Sequence, residues 1–252
     1  VTSWSIPLVQ DWDDMTKIKL DTNNIYFRKL EELTAHALQR CIGKFLVGYT
    51  DLHPGLDCVA AWRDPQQLCI DMIDEPEKVK QLAALSIADF RLIYDHFDKI
   101  LKDHNQLSVS WMGIPSDGKM HIPSCDFSTM ISPAFFKTFG LPVLAYEVQT
   151  MTHNIFHIDG SGVAKHLDAI LSVPEIHAVQ WVQGVGDDLP IMQWVPFLRQ
   201  LQAQGVPTIV DLNKQELDAF MAEMEPQGLF LWIATDNEEE ERDILKRLRK
   251  WR

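Results

Sequence analysis

From Gly43 onward, short runs rich in β-branched and aromatic residues alternate with segments in which apolar residues recur at helical spacing. Strands alternating with helices in this way are the mark of consecutive βα units around a parallel sheet. The pattern predicts strands over 45–49, 155–158, 178–182, 208–210 and 229–233. It also predicts an elaborated strand or hairpin where 107–112 and 121–125 flank the turn signal Ser116-Asp117-Gly118. Ahead of these, 24–41 reads as a helix, because Ile25, Leu30, Leu33, Ala37 and Leu38 share one face and Gly43 ends it. A long loop follows the first strand. Helical segments then fill 64–103, with a start at Asp74-Glu75-Pro76-Glu77. Ser132-Pro133 opens another helix to about 150, and 161–171, 190–204 and 215–225 supply the remaining crossovers. The last segment, 238–251, places acids first and bases last, which suits a helix dipole on a solvated face.

About six parallel strands are visible in this reading, whereas a closed (β/α)8 barrel has eight. An open doubly wound sheet would explain six directly, but it usually carries a Gly-rich phosphate turn after its first strand, and the chain has none. The chain opens at Val1 rather than Met, on an irregular run over 1–10. The expectation is therefore a single α/β domain over 1–252, an incomplete TIM barrel lacking about its first two βα units.

Composition narrows the function classes. At 252 residues and 46% hydrophobic content, the chain can bury a substantial core. A net charge of −13, with Lys and Arg scattered outside the last helix, opposes a phosphate backbone, so nucleic acid is not an expected partner. No apolar stretch approaches the roughly 18 residues of a membrane span, and the chain lacks a secretory leader pattern. Cys41, Cys58, Cys69 and Cys125 show no CxxC spacing, which fits reduced thiols and a cytoplasmic location.

The segment 125–136, reading Cys-Asp-Phe-Ser-Thr-Met-Ile-Ser-Pro-Ala-Phe-Phe, resembles the strand-to-helix junction of the uroporphyrinogen decarboxylase superfamily. Asp71 to Val79 resembles a helix entry of the same superfamily. His157-Ile158-Asp159-Gly160 and Trp181-Val182-Gln183-Gly184 resemble a corrinoid-protein-like, methyltransferase-like bacterial branch. The resemblance implies a barrel whose early units, including an Arg-bearing loop that decarboxylases use on substrate carboxylates, precede the residues present here.

In a parallel barrel, polar residues at the C-terminal strand ends face a common mouth. Read this way, the candidates are Asp51, His53 and Asp57 after the first strand, Asp126 after the next, His157 and Asp159, then Gln180 and Trp181, then Asp211, with Trp111 and His121 approaching from the hairpin. Asp126, His157 and Asp159 form the expected catalytic group, and Asp51, His53, Asp57, Trp111, His121, Trp181 and Asp211 are expected to contact substrate. His157-x-Asp159 is the sharpest feature, since alternate residues of a strand share a face and imidazole plus carboxylate can bind one divalent metal. In zinc-dependent methylcobalamin:coenzyme M methyltransferases, which the branch resembles, this position reads His-x-Cys with a later Cys. Here Asp159 replaces the first, and Ile233-Ala234-Thr235 lacks the second, which points away from zinc activation of a thiol and leaves a harder metal with oxygen ligands open.

Structural roles stay open beside these. His157 could be a barrel histidine oriented by Asp159 or a carbonyl, and Asp126 could bond loop amides next to Ser128. Asp211 could cap the helix near Lys214, and Asp51, His53 and Asp57 could be solvated. Cys125 reads as a small buried hydrophobe, and Trp62, Trp194 and Trp232 as packing residues. The resemblance implies methyl transfer with a small methylated donor or with a corrinoid carried on a partner protein. The alternatives are a decarboxylase of a tetrapyrrole-like polycarboxylate and a non-catalytic binding module. Arg63 and Lys119 are the nearest cations to the strand ends for a polycarboxylate. A small-molecule substrate is expected in either enzyme, and association into a homo-oligomer stays open.

Overall fold

The computed structural model describes residues 5–184 and 186–251. The first four residues of the irregular opening run thus lie outside the described residues.

Helix α1 (Ile25–Arg40) starts where Asn24 accepts a hydrogen bond from the Tyr26 amide at 2.9 Å. The stretch expected to be a long loop contains a helix, α2 (Leu56–Arg63), and α3 (Pro65–Asp74), α4 (Pro76–Ala88) and α5 (Phe90–Asp103) follow it. Proline at the first position of α3 and of α4 costs no hydrogen bond there and presets the helical φ. Arg63, at the end of α2, forms a buried ion pair with Asp71 of α3 at 2.7 Å and ties the entry segment to these helices by donating to the Val9 carbonyl at 2.9 Å.

Strands β1 (Ser108–Val109) and β2 (Pro115–Ser116) form a short antiparallel hairpin. Strand β3 (Met120–His121) begins a separate five-stranded parallel sheet. After it come α6 (Pro133–Phe135), a π-helical turn, α7 (Leu141–Val148) and β4 (His153–Asp159). Two short helices, α8 (Gly160–Ala164) and α9 (Leu167–Leu171), lead to β5 (Ala178–Val182). The chain continues through α10 (Val195–Ala203), β6 (Thr208–Asp211), α11 (Leu217–Glu223), β7 (Leu229–Trp232) and α12 (Glu238–Leu248). The strand order is β3-β4-β5-β6-β7, with every neighbouring pair parallel.

The parallel α/β class is as expected, but five strands form the sheet rather than six, and among the described residues they do not close into a barrel. Residues 45–49 belong to no strand. They touch the hairpin through a backbone bond from the Tyr49 amide to the Val109 carbonyl at 2.9 Å and a side-chain bond between the Tyr49 and Ser108 hydroxyls at 2.6 Å. The segment expected as a strand over 121–125 is assigned only at its start. It still runs beside β4, the His157 amide bonding the Pro123 carbonyl at 2.9 Å, but Pro123 has no N–H to continue the ladder.

Strand parity decides what each face carries. Phe156 and Ile158 of β4, Val179 and Trp181 of β5 and Val210 of β6 enter the main core with the helices, all completely buried. Burying each such side chain contributes about 1.5–3 kcal/mol. The opposite face holds a smaller cluster of Met120, Ile122, Ile155 and Ile209, covered by Met112 and Ile114 of the hairpin loop. Residues paired across parallel strands share a face, so the register His157↔Gln180↔Ile209↔Phe230 defines one row on this second face. Toward the C-terminal ends, that face turns polar.

Candidate functional site

Three side chains converge at the end of β3 and β4. Asp126, in a 3-10 turn after β3, meets His157 and Asp159, and one donor atom of each lies within 4.8 Å of those of the other two. Asp126 and Asp159 are exposed and His157 is half-buried. The His157 Nδ1–H donates to the side-chain oxygen of Gln180 at 2.6 Å across the β4–β5 register. An amide oxygen only accepts, so the proton belongs on Nδ1 and the neutral imidazole keeps its lone pair on Nε2. Gln180, rather than Asp159 or a carbonyl, therefore orients the ring. Trp111 stands edge-on to the same imidazole, ring centroids 5.5 Å apart, with 42% of its surface exposed.

Two structural roles open to these acids are filled by other residues. Loop amides next to Ser128 are bonded by Asp57, whose carboxylate accepts from Asp126 N at 3.0 Å and Phe127 N at 2.8 Å. Asp57, from the first turn of α2, thus clamps the turn that carries Asp126, and among the described residues no donor engages the Asp126 carboxylate. The helical turn near Lys214 is capped by Asn213, which accepts from Gln215 N at 3.1 Å, and not by Asp211.

The electrostatics follow from crowding of like charge. Protein atoms around the Asp126 carboxyl desolvate it and raise its pKa, and the negative charges of Asp57 and Asp159 add to this while His157 opposes it. Asp211 at the end of β6 is likewise raised by desolvation, with His157 pulling the other way. His53 is raised by its 2.6 Å bond to Asp51, and its other ring nitrogen lies 2.9 Å from Ser124 Oγ. The Asp51–His53 pair therefore flanks the centre, close enough for His53 to act on the Asp126 charge. A cleft of about 470 Å3 continues past Asp211 along the ends of β5 to β7, lined by Gln183, Lys214, Trp232 and Asp236.

Two residues expected at the mouth lie elsewhere. Trp181 points into the helix layer, wholly buried between Trp194 and Phe197 at centroid distances of 4.9 and 4.6 Å. His121 is buried on the helix side of β3, bonded to Glu147 of α7 at 2.6 Å. Both have the opposite parity to His157. Conversely Trp232, read as packing, is 45% exposed on the cleft face, while Trp194 does pack in the core. Cys125 is buried, and that burial pushes its thiol well up. Gln180 entered the sequence reading only as a strand-end residue. The signal of its positioning role was its place in a parallel register one strand over from His157.

Neither cation nearest to the strand ends serves the centre. Arg63 is consumed by Asp71 and carbonyls of the entry segment, and Lys119 pairs with Asp95 before β3 begins. Lys214 reaches the cleft but is held by Asp236 at 2.7 Å and Glu240 at 2.8 Å. No described helix is long and apolar enough to cross a membrane. Comparison with protein-family models, curated proteins and solved structures returned no significant match.

Proposed function

We propose that the chain is an arc of a uroporphyrinogen decarboxylase-type (β/α)8 barrel, and that its strand-end centre binds a divalent cation and a small cationic methylated donor for methyl transfer. The convergence of Asp126, His157 and Asp159 carries this reading. Strand order supports the barrel arc, since a doubly wound sheet reverses its order at a switch point and this sheet runs consecutively.

The donor set fits a divalent ion. One imidazole nitrogen with its lone pair directed by Gln180, and two carboxylates whose mutual repulsion a cation would relieve, suit borderline or hard metals rather than a thiolate-selective site. Asp126, His157 and Asp159 would hold it. Such an ion supplies Lewis acidity to a bound acceptor or leaving group.

The remaining tasks fall to protein groups. The acidic rim attracts a methylated ammonium at range, and the Trp111 indole contributes about 0.5–2 kcal/mol through cation–π contact. Transfer breaks the donor's bond to carbon, the electron pair staying with the leaving atom while the methyl passes to a nucleophile. A corrinoid on a partner protein is the acceptor the resemblance implies. An ammonium donor leaves as a neutral amine, and His157, its Nε2 lone pair committed to the ion, would act as a ligand and not as a proton donor.

A polycarboxylate substrate is disfavoured by the absence of an uncommitted Arg or Lys at this centre among the described residues. Titration with tetramethylammonium and trimethylamine against a tetracarboxylate, at two ionic strengths, tests the choice. Saturable binding of the ammonium compounds is expected. Saturable binding of the polycarboxylate alone would restore the decarboxylase reading.

A further inference from the structure

A second cavity, of about 310 Å3, lies beside this centre and is lined by residues with no part in it apart from His53. It is enclosed by the entry segment at Ile18, Lys19 and Leu20, by α2, and by the junction of α4 with α5. Its walls are apolar or aromatic, with Leu52, Cys58, Trp62, Leu85 and Phe90 foremost. Cys58 is deep enough that burial pushes its thiol up to about 12. His53 contributes only its ring face, both nitrogens being engaged by Asp51 and Ser124. The Ser86 hydroxyl is also spoken for, donating to the Ala83 carbonyl and accepting from the Gly55 amide.

Two charges remain on the lining, and they are of opposite sign. Lys19 is exposed on the entry segment, and Asp89 is half-buried between α4 and α5. Among the described residues neither makes an ion pair or side-chain hydrogen bond, and Asp89 does not cap α5 with its side chain. They line one cavity and, among the described residues, form no ion pair with each other. A volume near the lower end of the range for ligand sites, about 300–1,000 Å3, admits one small molecule and no tetrapyrrole.

We propose that this cavity binds a free apolar α-amino acid, its carboxylate at Lys19, its ammonium at Asp89 and its side chain against Trp62, Leu85 and Phe90. A zwitterion answers both charges at once, whereas a simple amine or acid leaves one unanswered. The inference does not depend on the methyl-transfer reading.

The test is calorimetric titration of the whole protein with L-leucine and L-phenylalanine, alongside isoamylamine and 4-methylpentanoate, which each lack one charged group. At least one amino acid should bind saturably at one site per chain. Each truncated analogue, and each of Lys19→Ala and Asp89→Asn, should bind about tenfold more weakly or worse, the loss expected for a charge-assisted hydrogen bond. Leu85→Trp should fill the cavity and abolish binding. Should that variant not fold, slower alkylation of Cys58 in the native protein when the amino acid is present reports the same occupancy. Asp159→Ala should leave amino-acid binding unchanged, which separates this site from the acidic centre. Absence of saturable binding by both amino acids, equal affinity for the truncated analogues, or unchanged affinity in both rim variants would overturn the proposal.

Discussion

His157 and Gln180 face each other across the β4–β5 register, and the imidazole donates a 2.6 Å hydrogen bond to the amide oxygen of Gln180, itself only 1% exposed. The bond fixes both the tilt of the ring and which nitrogen keeps its lone pair, so a residue that does not itself join the three-residue cluster controls what the cluster can bind. Groups of this kind typically govern metal affinity by about 10- to 100-fold. Gln180→Leu should therefore weaken binding of Mn2+ or Zn2+ by that factor while circular dichroism stays unchanged. Unchanged affinity would show that His157 needs no such restraint.

Asp126 gives a pH signature. Desolvation first, then Asp57 and Asp159, raise its carboxyl above the ordinary value. The folded chain then binds more protons than the unfolded chain between the ordinary and the raised value, so this group's contribution to stability falls as pH rises through that window. Asp126→Asn should raise the unfolding midpoint at pH 7 without added metal, and the gain should vanish below the ordinary carboxylate range. A variant destabilised equally at every pH would assign Asp126 a packing role.

His121 and Glu147 are a buried pair, and burial raises the Glu147 carboxyl against the opposing pull of His121. Removing one partner of such a pair costs about 3–5 kcal/mol. His121→Ala should lower the midpoint in thermal unfolding by many degrees and leave metal titration intact once folded. Loss of metal binding with stability preserved would return His121 to the site.

The two tryptophans first expected to contact ligand should separate cleanly. Trp181→Ala empties a core position and should cost about 3–5 kcal/mol. Trp111→Ala, at an exposed position, should leave stability almost unchanged and weaken tetramethylammonium binding by about 0.5–2 kcal/mol. Equal effects of the two on binding would contradict the assignment of faces.

How much of this was legible in the sequence turns on parity. The runs over 155–158, 178–182, 208–210 and 229–233 marked four of the five parallel strands, because continuous apolar stretches bounded by turn residues leave little ambiguity. His157-x-Asp159 also read correctly as one face. Trp181 and His121 were misplaced because strand-end position alone does not say which side of the sheet a residue faces. Parity does, and it needed the register with His157 to anchor it. Residues 45–49 have strand composition, but the hairpin beside them offers only two paired residues, so no ladder forms. Helix α2 was hidden by its flanks, Gly55 at a φ of 78° before it and Asp64 at 84° after it, which crowd it between turns. The clamp by Asp57 joins positions about seventy residues apart, a contact no local pattern encodes.

The most direct measurement is calorimetric titration of Mn2+ and Zn2+ into the metal-free protein and into His157→Ala and Asp159→Ala. One saturable site per chain is predicted in the parent protein and none in either variant, with the metal-free unfolding midpoints within a few degrees of one another. No saturable binding in the parent, or binding that survives both substitutions, would contradict the assignment of Asp126, His157 and Asp159 as a cation centre.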